Sequence, residues 1–414
     1  MKPQRVAVTG IGAVSPFGGD AHHLFDCLLA GKSAVRLYAQ DAVPRGISVP
    51  AVRCTDFDPD ATLGRGLAHT MDRFSQLGTV AALAAWQDAG LPAAEPGGRD
   101  DAGVSWSSAL GGTLTFEGGY KDLYLNRRER VSPLSVVLGM NNAAASHIAI
   151  KLGLGDLCYT YSVACASSAI AVGEAFRRIR DGQAALMVAG GSEAPLSYAV
   201  IRAWEALRVM AQGDEATAPH ACRPFHAERT GLVLGEGAGA LILENWDSAK
   251  ARGATIYAEL TGYGTTCDHA HLVRPEARGQ VRAMRLALAD SGLDASEIDY
   301  INAHGTATRE GDPTEIAAIR EVLGDRAADV RVSATKSMHG HMLGATGVIE
   351  AIATVLSLYR QAVPPTAHLD AIDPLCAGVH HVITGESAVP LRAALSNSFA
   401  FGGSNAVLAF RRTA

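Results

Sequence analysis

The chain has 414 residues, 19% of them charged and 48% hydrophobic, and 36 basic against 42 acidic side chains give a formal charge of −6. At about 150 residues per domain this length holds a large buried core, and the composition excludes disordered, coiled-coil and fibrous chains. The acidic balance, with signs interspersed, argues against nucleic acid as the main ligand, and no uninterrupted apolar run reaches the roughly 18 residues of a membrane-spanning helix.

The first predicted strand, Arg5 to Thr9, is followed by Pro16 and Gly18-Gly19, the pattern of a strand and loop and not of a signal peptide. Gly10-x-Gly12 lacks the third glycine of a dinucleotide fingerprint and reads as a tight turn ending that strand. Further Val/Ile/Ala runs, Ala185 to Ala189, Gly239 to Leu243, Ile298 to Ala303 and Val330 to Ala334, alternate with helical periodicity. That alternation predicts an α/β architecture with buried strands. Gln212 to Pro224, rich in Gly, Ala, Asp and Pro, reads as a surface loop. Val8-Thr9-Gly10-Ile11-Gly12 returns 252 residues later as Leu260-Thr261-Gly262-Tyr263-Gly264. Such an echo suggests two similar halves, 1–255 and 256–414, joined near Ala249 to Tyr257.

Seven cysteines, an odd number without a C-x-x-C pair, do not form a disulfide scaffold or a zinc ribbon. A reducing, cytoplasmic compartment follows, with a thiol free to act as a nucleophile. Cys165 is the candidate. Val172, Ala175, Phe176 and Ile179 mark one apolar face of a helix opening near it, Arg177, Arg178 and Arg180 fill the last turn, and Gly182 ends it. A cysteine at the positive end of a helix is favoured as thiolate by the free N–H groups and the macrodipole. A lone cysteine is equally a small buried packing residue, but the small side chains around this one leave room for an acyl group.

His304, in Ile301-Asn-Ala-His-Gly-Thr306-Ala-Thr308, and His341, in Ser333-Ala-Thr-Lys336-Ser-Met-His-Gly-His-Met-Leu-Gly344, both follow strands and sit beside glycines. Sites in α/β proteins gather at such strand ends. In the helix after His341, Val348, Ala351, Ile352, Val355 and Leu356 form an apolar stripe, with Glu350 on the opposite, solvated face. His339-x-His341 and His269-x-His271 lack an acidic or Cys ligand at zinc-site spacing, so no metal is expected. Asn397 to Asn405 reads as a hairpin whose Gly-rich turn exposes Phe399 and Phe401.

These segments, together with RPFHAERTGLVLGEGAGALILE in the middle, resemble the elongating β-ketoacyl-acyl-carrier-protein synthases of the thiolase superfamily over nearly the whole chain. The resemblance implies a five-layered αβαβα fold of two pseudo-equivalent halves and a decarboxylative Claisen condensation. It makes Cys165 the acyl acceptor, gives His304 and His341 to malonyl decarboxylation, and has Lys336 hold the network with Glu350 as partner. By the same resemblance the N–H groups of Cys165 and Phe401 form an oxyanion hole, and Phe399, Ala400, Phe401 and Gly402 form a gate. Thr306 and Thr308 bind the phosphopantetheine arm, which the acyl carrier protein brings, so the chain itself binds no cofactor. The second implied partner is a subunit of the same fold, either a copy or a relative.

Pocket depth is assigned to Val136, Met140 and Phe176. A thiolase would carry a second cysteine in the C-terminal Gly-rich loop, a chain-initiating synthase His plus Asn, a papain-like hydrolase no Lys336, and a chain-length-controlling partner no nucleophile. Two departures from the family pattern point to a specialised polyketide- or polyene-type synthase over housekeeping fatty-acid elongation. Where a basic patch would meet the carrier, the chain offers Arg65 and Arg208 with Glu205 among them, and Ala400 replaces the usual Gly.

Overall fold

The computed structural model describes residues 3–40, 45–94 and 97–413. The buried aliphatic runs pair into one eleven-stranded sheet. Five strands precede residue 250: β1 (Val6–Val14), β2 (Ala102–Ser107), β3 (Cys158–Tyr161), β4 (Leu186–Glu193) and β5 (Gly237–Asn245). Six follow it: β6 (Ala258–Cys267), β7 (Ile298–Asn302), β8 (Arg331–Ser333), β9 (His380–His381), β10 (Ala393–Phe399) and β11 (Ser404–Arg411). Their spatial order is β9-β8-β7-β10-β11-β6-β1-β5-β4-β2-β3. Outward from the centre, β1-β5-β4-β2-β3 are joined by two antiparallel and then two parallel ladders. The series β6-β11-β10-β7-β8 repeats that pattern. The two series meet where Val6, Ala7 and Val8 pair with Leu260, Glu259 and Ala258.

Helices cover both faces of each half. The helices α1 (Arg73–Asp88) and α2 (Ala143–Leu152) pack their alanines and Phe74, Leu77 and Ile148 on one side of β2, β4 and β5. Between the halves lie α3 (Ser167–Arg180) and, later in the chain, α7 (Thr346–Arg360), which share one core with the inner faces of both sheets. A third core seats α5 (Ala277–Ser291) and α6 (Gly311–Leu323) on the far side of β7, β10 and β11. This is an α/β fold of five layers, αβαβα. A short helix, α4 (Tyr198–Leu207), stands at one side with its Ile201 in a smaller core beside a three-stranded sheet of Arg36–Gln40, Ile47–Val52 and Leu234–Gly235.

The sequence echo proves structural, although its glycines do not form the turns expected of them. Gly10 and Gly12 lie inside β1, and Gly262 and Gly264 inside β6. A Cβ on Gly10 or Gly12 would stand 2.3 and 2.2 Å from the carbonyl oxygens of Ala85 and Ala81 in α1. On Gly262 or Gly264 it would stand 2.4 and 2.1 Å from those of Ala287 and Ala283 in α5. Each helix also ends in an aspartate that accepts the strand's N–H: Asp88 from Ile11 at 2.8 Å and Asp290 from Tyr263 at 3.0 Å. Glycine is used here so that a helix can lie directly on a strand.

The helix α7 departs from expectation, because every residue from Thr346 to Leu358 is buried and no solvated face exists. Glu350 therefore lies in the middle layer at 0% exposure. Leu343–Arg360 is long and apolar enough to cross a membrane, but 89% of it is buried within the protein. The Gln212–Pro224 segment is a loop with one short turn, Ala218–His220, and its Ala221 and Cys222 are buried. All seven cysteines are free.

Because Ala81 and Ala283 cannot retreat without moving a whole helix, Gly12→Ala and Gly264→Ala should each cost about 1–3 kcal/mol. Urea denaturation of the two variants would measure this, and Gly19→Ala, exposed, without a positive φ and with nothing within 4 Å of an added Cβ, serves as the surface comparison.

Candidate active site

Three strand ends deliver the site. Cys165 follows β3, His304 follows β7, and Lys336 and His341 follow β8, the strand that occupies the place in the second half that β3 occupies in the first. The sulfur of Cys165 and one nitrogen each of His304 and His341 lie within 4.8 Å of one another, and all three residues are buried. The imidazoles are 5.6 Å apart at 86°. The residue before the nucleophile, Ala164, is held at φ 45°. This left-handed turn costs on the order of 1–3 kcal/mol. Ser167 secures it, its hydroxyl accepting from Val163 N–H and donating to Ala164 O, both at 2.7 Å.

Cys165 does not behave as its place before a helix implies. The helix starts at Ser167, and burial pushes the thiol up to about 11 against the opposing pull of Lys336 and the Phe401 N–H. Burial thus favours the neutral thiol over the thiolate.

Lys336 organises the histidines. Its Nζ donates to Glu350 Oε1 at 2.6 Å, to His304 Nδ1 at 3.2 Å and to the His304 carbonyl, with no exposure of either charged side chain. Burial pushes the Glu350 carboxyl up, and the charge and hydrogen bond of Lys336 pull it back toward the carboxylate. Burial, and next the charge on Lys336, hold His304 and His341 well below 6.5, so both rings are neutral. His304 Nδ1 accepts from the ammonium and His341 Nδ1 accepts from Leu343 N–H at 3.1 Å. The proton of each neutral ring therefore sits on Nε2. His341 Nε2 has no partner among the described residues.

A metal-binding histidine needs its other ring nitrogen as a donor. Here the Nδ1 of each ring accepts a hydrogen bond, which leaves neither imidazole the donor that such a ligand uses. His339 is buried against Thr335 Oγ1 at 3.1 Å, and His269 and His271 are exposed away from the cluster.

The loops around the cluster are tied from outside it. Glu315 accepts from the N–H groups of His304 at 2.7 Å and Gly305 at 2.8 Å. Thr306 and Thr308 place their hydroxyls 2.9 Å apart across Ala307. The Arg229 guanidinium, buried below them, donates to the carbonyls of Thr308 at 2.9 Å and Arg309 at 3.0 Å. Glu193 clamps the other side, accepting from Ala109 N–H at 2.7 Å and Gly344 N–H at 3.0 Å.

The expected hairpin is formed by β10 and β11. Its Phe399 is not exposed: it is 7% accessible and packs 6.1 Å from the His304 ring. Phe401 stacks on Trp204 of α4 at 5.8 Å, and Gly402 N–H donates to Leu272 O at 2.7 Å. Ala400 has no positive φ, so its Cβ is accommodated without strain.

A cavity of about 1070 Å³ runs from Cys165, His304 and His341 past Thr306, Thr308 and Phe401 to the surface. Its mouth carries Arg208, Arg274 and Arg309, all exposed. Arg274 and Arg309 escaped the sequence reading because they come from separate loops, and Trp204, Arg229, Glu193 and Glu315 escaped it because their roles depend on residues far away in the chain. Val136 at 66% and Met140 at 39% exposure lie on the surface of the chain, not in the pocket, while Phe176 is buried.

A buried thiol beside two neutral imidazoles, at the end of a deep cavity in a thiolase-like fold, defines a condensing enzyme. Residues 3–249 match the family described as Beta-ketoacyl synthase, N-terminal domain, and residues 257–370 match Beta-ketoacyl synthase, C-terminal domain. The chain is 41% identical to nodulation protein E of Rhizobium sp. (strain N33), over 99% of each chain. It is 40% identical to 3-oxoacyl-[acyl-carrier-protein] synthase 2 of Staphylococcus aureus (strain COL), over 99% of this chain and 98% of that one. Among solved structures it resembles the ishigamide ketosynthase/chain length factor (TM-score 0.91, 32% identity, full coverage of both chains). It also resembles a type II polyketide ketosynthase bound to the hexaketide in complex with its acyl-carrier protein, AntDE:AntF (TM-score 0.89, 32% identity, full coverage of both). The chain belongs to the β-ketoacyl synthase family and is an acyltransferase that condenses carrier-bound acyl groups.

With its thiol raised to about 11, Cys165 should be alkylated by iodoacetamide at a rate that climbs about tenfold per pH unit between 7 and 9 without levelling. Peptide mass spectrometry, which separates it from the exposed Cys158 and Cys267, reads this directly. A plateau below pH 8 would mean a depressed thiol instead.

Proposed function

We propose that this chain carries out decarboxylative Claisen condensation on a specialised, polyketide- or polyene-type acyl chain, with the residues around Cys165 in distinct roles. The observation that carries it is the pair of neutral imidazoles, each with its Nδ1 occupied as an acceptor and one ring nitrogen within 4.8 Å of the thiol. Acyl transfer comes first. Cys165 attacks the thioester of an acyl carrier, and its proton ends on the departing pantetheine sulfur. The tetrahedral oxyanion is met by the backbone N–H groups of Cys165 and Phe401.

Malonyl-carrier protein then places its thioester carbonyl against His304 and His341. Loss of CO₂ moves an electron pair onto that carbonyl oxygen, and two neutral N–H donors stabilise the enolate without needing to be protonated first. The enolate carbon attacks the acyl group, Cys165 leaves as a thiolate, and that thiolate takes up the proton the reaction consumes. Lys336 and Glu350 keep the imidazoles neutral and oriented. Thr306 and Thr308 line the passage for the phosphopantetheine arm, so the chain needs no cofactor of its own.

The carrier protein is the first partner. Arg208, Arg274 and Arg309 at the mouth suit an acidic carrier carrying a phosphate-linked arm, and this set differs from the Arg65 and Arg208 read in the sequence. Arg65 is exposed but does not line the cavity. The second partner is a subunit of the same fold. Eleven of the twenty exposed large hydrophobic side chains among the described residues fall between Phe116 and Tyr159, a concentration that marks an interface. It includes β3, the open edge of the sheet, where a second copy or a related ketosynthase-like chain would continue the ladder. Val136 and Met140 then belong to that interface. A cytoplasmic setting fits seven free cysteines. The boundary of the two halves is placed at 255/256.

The specialised reading is supported by polyketide ketosynthases among the structural neighbours, and the likeness to a 3-oxoacyl synthase 2 favours ordinary elongation. Rates on saturated and on polyene or polyketide acyl groups, each on two carriers, separate them, and fastest turnover of saturated chains on a fatty-acid carrier would remove the specialised reading. Cys165→Ala should abolish condensation yet release ¹⁴CO₂ from labelled malonyl-carrier protein, while His341→Ala should lose that release by about a hundredfold or more. Retained release in the histidine variant would contradict the assigned roles.

A further inference from the structure

The Phe401 N–H bears on the Cys165 sulfur, yet nothing in its own loop fixes that residue sideways. Ala400 N–H donates to Ser404 O at 2.8 Å and Gly403 N–H to Ala400 O at 3.0 Å, which closes the turn on itself. Gly402 N–H reaches Leu272 O at 2.7 Å, and residue 272 belongs to an exposed loop. The Gly403 carbonyl accepts from Asp268 N–H at 2.8 Å and from Asn405 Nδ2 at 3.2 Å, which holds the far end of the turn. The hold on the Phe401 ring itself is aromatic. The Phe401 ring lies on the indole of Trp204 with centroids 5.8 Å apart and planes 21° from parallel.

Trp204 is itself anchored, because α4 buries Ile201 fully and ties Arg202 to the backbone carbonyls of Arg45 and Gly46 at 2.6 and 2.5 Å. The same helix ends at the cavity mouth, with Leu207 49% exposed and Arg208 as its left-handed cap. The indole thus stands between the surface and the residue that faces the nucleophile.

We propose that Trp204 is a positioning residue: its stack on Phe401 holds the loop so that the Phe401 N–H meets the oxyanion at Cys165, the two rings parting as an acyl chain enters and stacking again beside it before the oxyanion forms. The inference rests on the oxyanion role of Phe401 given above. Stacked rings contribute about 0.5–1.5 kcal/mol beyond the area they bury, enough to set the loop's resting position and little enough to be given up for an incoming acyl group. An apolar side chain without a flat face would fill the space but leave Phe401 free to turn its N–H aside.

The test compares Trp204→Phe, which keeps a ring, with Trp204→Leu, which keeps apolar volume alone. Acylation of Cys165 from an acyl-carrier thioester should lose about tenfold or more in kcat in the Leu variant with KM nearly unchanged, and the Phe variant should stay near the unsubstituted rate. Thermal unfolding shows that both variants are folded. Tryptophan emission supplies a reading independent of rate, since Trp86, Trp106 and Trp246 are buried and Trp204 is the half-buried one. The emission of the unsubstituted chain should shift on acylation, and the shift should vanish in Trp204→Phe. Equal acylation rates in the unsubstituted and Leu chains, equal damage in both variants, or a shift that survives in Trp204→Phe would overturn the proposal. Absence of acylation in the unsubstituted chain would instead remove the functional reading beneath it.

Discussion

The site depends on a single positive charge held in a dry place. Lys336 is fully buried between Glu350 on the central helix α7 and His304 at the end of β7, and each of its three bonds does something different. The carboxylate makes the buried ammonium tolerable, the carbonyl fixes the turn after β7, and the bond to Nδ1 decides which nitrogen of His304 keeps its proton. Removing one partner from such a pair costs about 3–5 kcal/mol, because the other is left charged and unsolvated. The same charge disfavours a proton on either imidazole. One ion pair thereby sets both the shape of the site and the protonation of its donors.

That arrangement also explains why the nucleophile rests as a thiol. A pocket dry enough to keep two histidines neutral desolvates the sulfur beside them, and this burial raises the thiol against the pull of Lys336. In the roles proposed above, charge at Cys165 arises during acyl transfer and again when the thiolate departs, and backbone N–H groups receive it.

Much of this was legible in the residues, for identifiable reasons. The strands at Ile298 and Val330 announced themselves as aliphatic runs, and a cysteine and two histidines at strand ends beside glycine carried the chemistry. What stayed hidden depends on three-dimensional context. Glu350 has the sequence neighbours of a solvated residue, so the resemblance alone made it the partner of Lys336, and only the fold closing over α7 shows why it is buried there. Val136 and Met140 look like pocket walls when spaced along a helix, yet they face outward. The glycines of β1 and β6 resembled turn residues because the helices that demand them lie dozens of residues away. The arginines at the mouth come from three loops that no local pattern connects.

The paired aspartates in the last turns of the two outer helices mark where the two halves differ in length. Ile11 and Tyr263 stand 252 positions apart, whereas Asp88 and Asp290, which accept from them, stand 202 apart. The first half therefore holds 50 more residues between its opening strand and the helix laid upon it. Those residues include Ser48, Val49 and Pro50, which form part of the cavity wall. The wall of the cavity is thus built partly from a segment that only the first half carries, while the strands and helices that the two halves share lie beneath it and do not depend on what the cavity holds.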